Sequence, residues 1–173
     1  MKHKHLHSTL RKQKGFTIVE LLIVIVVIAI LAAISVVAYN GIRNRAHDTA
    51  VMNDMANLRK KMEIRKIELE GRYPETQVDL PDYKLSKNAY DTVNNNIYIV
   101  VNNTTGQYSI GLRSKSGKGF IGTRSQVYEG VTVNGDETAT RIGETSWAAS
   151  PIRYQCYAPA ASPQWTADCK WTN

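Results

Sequence analysis

The chain has 173 residues, enough for one domain plus a membrane segment, and carries 22 basic and 15 acidic side chains for a formal net charge of +7. That charge would suit a binder of nucleic acid or anionic lipid, but its distribution argues against one. Residues 1–15 hold Lys2, Lys4, Arg11, Lys12 and Lys14 and no acid, so 22 less these five leaves 17 basic against 15 acidic residues in the rest.

The first element is this basic stretch, followed directly by an apolar run. Positive charge beside an apolar run is the layout of an export or membrane-insertion leader, with the charge kept on the cytoplasmic side. His3, His5 and His7 read as solvated leader residues rather than metal ligands.

From Phe16 to Ile42 the only formal charge is Glu20. Leu21 to Ala38 gives 18 nearly uninterrupted apolar residues, close to the roughly 20 that a membrane helix needs. A removable secretory signal needs only about 7–15. Cleavage after Val36-Val37-Ala38 is therefore the weaker alternative. Glu20 admits two readings. It can sit in the headgroup layer, or it can pair with a cation. A free amino terminus created at Phe16 would lie about one helical turn away, or could come from a neighbouring chain.

The helical pattern continues from Arg43 to Glu70 without Pro or Gly. Val51, Met55, Leu58, Met62 and Leu69 fall on one face. Asp48, Asp54, Arg59, Lys60, Glu63, Arg65 and Lys66 occupy the other positions. Gly71 fits a C-cap, and Pro74 prevents resumption. A helix over 16–70 would run roughly 80 Å at about 1.5 Å per residue. Arg43 and Arg45 are outnumbered by the five basic residues before the run, which places the N-terminus in the cytoplasm and the bulk outside.

Residues 71–173 read as loop and strand. Strands are expected over 97–101 and 107–112, and over 126–133 with a partner at 138–142 across an Asn134-Gly135 hairpin turn. These four strands would form an antiparallel sheet with one face on the helix stripe, an α+β fold. Residues 143–173 show little pattern. Cys156 and Cys169, if carried outside the cytoplasm, are expected to oxidise to a disulfide that staples this region, and a loop of this length is worth about 3 kcal/mol.

Other signals are weak. Gly111 to Gly119 resembles a phosphate loop but has the wrong spacing and lacks the Ser or Thr after Lys118. Arg113, Lys115, Lys118 and Arg124 form an acid-free stretch that reads as a solvated loop over 113–124, with weak contact to DNA or a surface polymer as the functional alternative. Asn102-Asn103-Thr104 and Asn103-Thr104-Thr105 are chance-level sequons, and Asp79 with Asp82 is a loop pair of low specificity. Past the leader the one histidine is His47, which leaves nucleophilic and zinc chemistry without their parts. No catalytic, metal or cofactor site is expected.

Lys14-Gly15-Phe16-Thr17-Ile18-Val19-Glu20-Leu21-Leu22-Ile23-Val24 resembles the N-terminal signature of type IV pilins and the related pseudopilins. The close resemblance covers roughly residues 11–50. It implies cleavage between Gly15 and Phe16 by a membrane aspartyl peptidase, which also methylates Phe16. It implies that Glu20 pairs with another subunit's terminal amine during filament assembly, and it agrees with a disulfide closing the C-terminal region. Many such proteins carry Pro where Val37 stands here. The resulting organisation is a leader (1–15), a transmembrane and assembly half-helix (16–42), an amphipathic half-helix (43–70) and an extracellular β-rich domain (71–173). The implied product is a subunit of a surface filament for adhesion, motility or DNA uptake. A pseudopilin of a secretion system and a signal-anchored binding protein that never polymerises are the alternatives.

Overall fold

A computed structural model describes residues 15–75, 79–80, 85–90, 96–146, 148–150, 152–156 and 171–172. The chain divides into two compact units, Met1–Asn40 and Gly41–Asn173. Helix α1 (Ile18–Glu68, 51 residues) continues through Gly41. In the first unit its apolar side chains, from Ile18 to Val37, are all exposed. It is one helix long and apolar enough to cross a membrane.

In the second unit α1 buries Val51, Met55, Leu58 and Met62 of the expected stripe, whereas Leu69 falls past the helix end and is only half-buried. The helix ends at Glu68, two residues short of the expected end at Glu70. Glu70 takes a left-handed φ of 55°, Gly71 follows at 93°, and the Gly71 N–H donates to the Lys66 carbonyl at 2.8 Å. That is a Schellman-type closure with the acid, rather than the glycine, in the first left-handed position.

The remaining elements are β1 (Leu85–Ser86), β2 (Ile97–Asn102), β3 (Gln107–Arg113), β4 (Gly119–Thr123), β5 (Val127–Glu129), α2 (Gly135–Thr140), β6 (Ile152–Cys156) and β7 (Trp171–Thr172). An antiparallel sheet runs β5-β4-β3-β2-β6. A short parallel pair joins β1 to β7. The α+β arrangement, a long helix and an antiparallel sheet, is therefore the one expected. Ile97, Ile99, Val101, Tyr108, Ile110, Leu112 and Phe120 share a core with the α1 stripe. The alternate residues of the same strands, Tyr98, Val100 and Ile121, are buried with Val133, Ala139 and Ile142. Burial on both faces explains why β2 reads as a continuous apolar run. Helix and sheet approach closely at Gly122, where an added Cβ would meet the Met55 Sδ at 2.4 Å.

The expected strand pairing fails after residue 123. No hairpin forms at Asn134-Gly135. Asn134 is instead the N-cap of α2, its side-chain oxygen accepting from the Glu137 N–H at 2.7 Å. Residues 138–142 are consequently helix and turn, not strand. Asn serves a type I′ turn and a helix cap equally well. Asp136 and Glu137, which favour a helix N-terminus, tip the choice. The expected strand over 126–133 shrinks to β5. Four strands were missed: β1, β4 inside the stretch read as a loop, and β6 and β7 inside the pattern-poor C-terminal region.

Asp54 is also displaced from its expected place on the polar face. It is buried, accepting from the Ser86 N–H at 2.8 Å, the Ser86 hydroxyl at 3.1 Å and the Tyr90 hydroxyl at 3.0 Å. These bonds tie β1 and the following turn to α1. Burial raises the Asp54 pKa above its ordinary value, and the bonds from Ser86 and Tyr90 only partly offset this. The native state thus holds this proton to higher pH than the unfolded chain. Asp54 therefore adds stability below the ordinary carboxylate range, and that stability is lost as pH rises through the raised value. Thermal melts of Asp54→Asn between acid and neutral pH should show the wild type losing ground to the variant as pH increases. A difference that does not change with pH would rule this out. Asp54→Ala, which strips the Ser86 N–H of its acceptor, should cost about 1–3 kcal/mol.

Candidate functional site: the start of helix α1

Gly15 and Phe16 lie in exposed backbone ahead of the helix. Phe16 is 90% exposed. Residues 1–14, which include the basic stretch and its histidines, fall outside the described residues. The helix opens on a capping box. Thr17 donates to Glu20 Oε2 through both its backbone N–H and its hydroxyl, each at 2.8 Å. The Glu20 N–H donates back to the Thr17 hydroxyl oxygen at 3.2 Å. Thr-x-x-Glu is the sequence signature of this device, and it was legible in Thr17-Ile18-Val19-Glu20. The sequence reading weighed only headgroup exposure and a cationic partner for Glu20.

The geometry gives Glu20 a third role without removing the second. Both Thr17 donors converge on Oε2. Oε1 accepts no hydrogen bond among the described residues. The carboxylate therefore caps its own helix with one oxygen and leaves the other without a hydrogen bond among the described residues.

The basic stretch is not one patch. Arg113 ends β3, and Lys118 bonds Glu129 at 2.8 Å. Lys115 lies near His47, whose pKa is lowered mainly by burial and further by Arg43 and Lys115. Arg124 stands past the far end of β4 and lies 3.9 Å from Glu63. Strand β4, buried throughout, separates Lys118 from Arg124. The expected loop over 113–124 is thus a turn, a strand and a second turn.

Both sequon asparagines are engaged in the fold. Asn102 bonds Glu144 and accepts from the Thr105 N–H at 2.9 Å. Asn103 brackets Tyr73, accepting from its N–H at 2.7 Å and donating to its carbonyl at 3.1 Å. Cys169 lies outside the described residues, and of Cys156 only the backbone in β6 is described, so the expected disulfide falls outside them too. Asp82 also lies outside them. Among the described residues no group of three or more His, Cys, Asp or Glu side chains could hold a metal.

The prokaryotic N-terminal methylation motif matches residues 10–36. Fimbrial protein Q of Moraxella bovis is 32% identical over 131 residues, 76% of this chain and 65% of its own length. The major component of the type IV wide pilus of Thermus thermophilus is 45% identical over 58 residues, 32% of this chain and 44% of its own. The type II secretion system core protein G of Dickeya chrysanthemi is 31% identical over 70 residues, 40% of this chain and 45% of its own. The chain thus spans less than two thirds of the length of these relatives. No solved structure matches it. The motif and these relatives bear out the resemblance to type IV pilins and pseudopilins.

Proposed function

We propose that this chain is a structural subunit of a type IV pilus-like filament, made as a membrane-inserted precursor and cut between Gly15 and Phe16. The observation that carries this is the coincidence, inside the methylation motif, of an exposed Gly15–Phe16 bond with a capped helix start and a half-free Glu20 carboxylate. Cleavage creates an amine on Phe16, immediately before the Thr17 N–H that Glu20 already accepts. A cation supplied there, by the same chain or a neighbour, would meet Oε1 in a low-dielectric setting where an ion pair needs its partner. Methylation of Phe16 would keep that charge. The exposed apolar run of residues 21–37 supplies the surface for lipid in the precursor and for other subunits in the filament. The leader's positive charge supports a cytoplasmic N-terminus and an outward β-domain.

The test is the mass of the N-terminal peptide from native material. A peptide starting at Phe16 with one added methyl is expected. An intact leader, or a start at Tyr39, overturns the proposal, and the uncut form would favour a membrane-anchored binding protein. The relatives named as type II secretion core proteins favour a second reading, a pseudopilin, which shares the same processing. Imaging of the cell surface separates the two, since only the first predicts long external filaments. Adhesion, motility and DNA uptake are the candidate outputs. Contact between the basic residues of 113–124 and DNA or a surface polymer would use separate points, because β4 divides them.

A further inference from the structure

A cavity of about 250 Å³ opens in the second unit, lined by Arg124, Arg141, Thr105, Gln107, Thr123 and Ser125 among others, with no carboxylate in its wall. Its two arginines come from different places, the turn after β4 and the end of α2. Each has an acid nearby that leaves donors free. Glu137 takes only Nη2 of Arg141. Glu63 lies 3.9 Å from Nε of Arg124, beyond hydrogen-bond reach. Arg141 is further fixed by stacking, its guanidinium 4.4 Å from the Tyr128 ring centre. Its Nε is buried and has no hydrogen-bond partner among the described residues.

Two forked cations with free donors match a carboxylate. The hydroxyls of Thr105 and Ser125 and the Gln107 amide, which both donate and accept, match the hydroxyls of a sugar ring, while the buried Thr123 hydroxyl is taken up by Gln126 and Ser125. The volume lies below the roughly 300–1,000 Å³ of drug-sized pockets, so it suits one ring rather than a peptide or a strand of nucleic acid. We propose that this cavity binds an acidic sugar residue, with the carboxylate on Arg124 and Arg141 and the ring hydroxyls on Gln107, Thr105 and Ser125. The site goes beyond the filament reading and is independent of it.

The test titrates the full chain in detergent micelles with a glucuronate-containing disaccharide, its neutral glucose counterpart, and inorganic phosphate. Saturable binding of the acidic sugar alone is expected. Arg124→Gln should weaken it about tenfold or more, the effect of losing one charged hydrogen-bond partner. Gln107→Ala should weaken it less, and Lys118→Gln, outside the cavity, not at all. Arg124 and Gln107 are exposed, so these variants should keep the fold, which their melting temperatures check. No binding, equal binding of phosphate, or equal loss with Lys118→Gln would overturn the proposal. Because the measurement uses solubilised chains, its failure leaves the assembly reading untouched, and the reverse holds as well.

Discussion

Replacing Glu20 by Gln is expected to leave membrane insertion and cleavage after Gly15 intact while abolishing filament assembly. The substitution separates two roles that Glu20→Ala would confuse. Glutamine serves at the third position of a capping box as glutamate does, so the Thr17 N–H keeps its acceptor and the helix keeps its start. What disappears is the charge on the oxygen that Thr17 leaves free. Thr17→Ala is the converse change: it removes the hydroxyl from the box and leaves the carboxylate, and should fray the first turn while filaments still form. Processing is read from the peptide mass and assembly from shed or imaged filaments. Normal filaments from Glu20→Gln would sink the charge-pair mechanism and leave helix capping as the residue's whole role.

Gly119→Ala should be the most damaging small substitution in the β-domain. An ideal Cβ at this position would stand 2.0 Å from the Val131 carbonyl oxygen and 2.7 Å from Val133 Cγ2. The obstacle is backbone, so no rotamer change relieves it. Nor can residue 131 retreat freely. The Gly130 N–H donates to the Gly119 carbonyl at 2.9 Å, and the Val131 N–H approaches the same oxygen at 3.4 Å. Val133 meanwhile packs with Tyr98 and Ile121 on the α2 side of the sheet. Overpacking of this kind costs about 1–3 kcal/mol and more where backbone must move, a large share of a marginal stability of about 5–15 kcal/mol. Gly41→Ala is the control. Its Cβ would meet nothing within 4 Å, and alanine replaces glycine inside a helix, which favours stability by about 0.5–1 kcal/mol. Melting of both variants in detergent should show a steep fall for the first and no fall for the second. A wild-type melting temperature for Gly119→Ala would refute the close approach of residues 119 and 131 as a constraint on the fold.

Residues 14–70 were largely legible because their signals are local and periodic. An apolar run of membrane length needs no partner to be recognised. The Val51, Met55, Leu58 and Met62 stripe follows from helical spacing alone. Strands β2 and β3 were equally plain, being apolar, β-branched and joined by a turn at Asn102 to Gly106. Beyond them the local code is ambiguous. Asn134-Gly135 satisfies a hairpin and a helix cap alike. Gly119-Phe120-Ile121-Gly122-Thr123 reads as loop because its glycines are there for close approach to Val131 and Met55, contacts that lie far away in sequence.

By itself the sequence determined the basic charge of residues 1–15, the apolar helix, the spacing of Glu20 from Thr17, and the amphipathic stripe that demands a sheet. Each is a property of composition or of spacing within a few turns. Only the tertiary structure decided what Asp54 does, which sheet face α2 covers, how the basic stretch divides, and that Arg124 and Arg141 line one cavity. Those outcomes depend on which distant strands pair, since pairing fixes which residues are removed from water and which donors are left without partners. Glu20 belongs to both sides: its spacing from Thr17 was in the sequence, but the use of one oxygen and not the other is a matter of geometry.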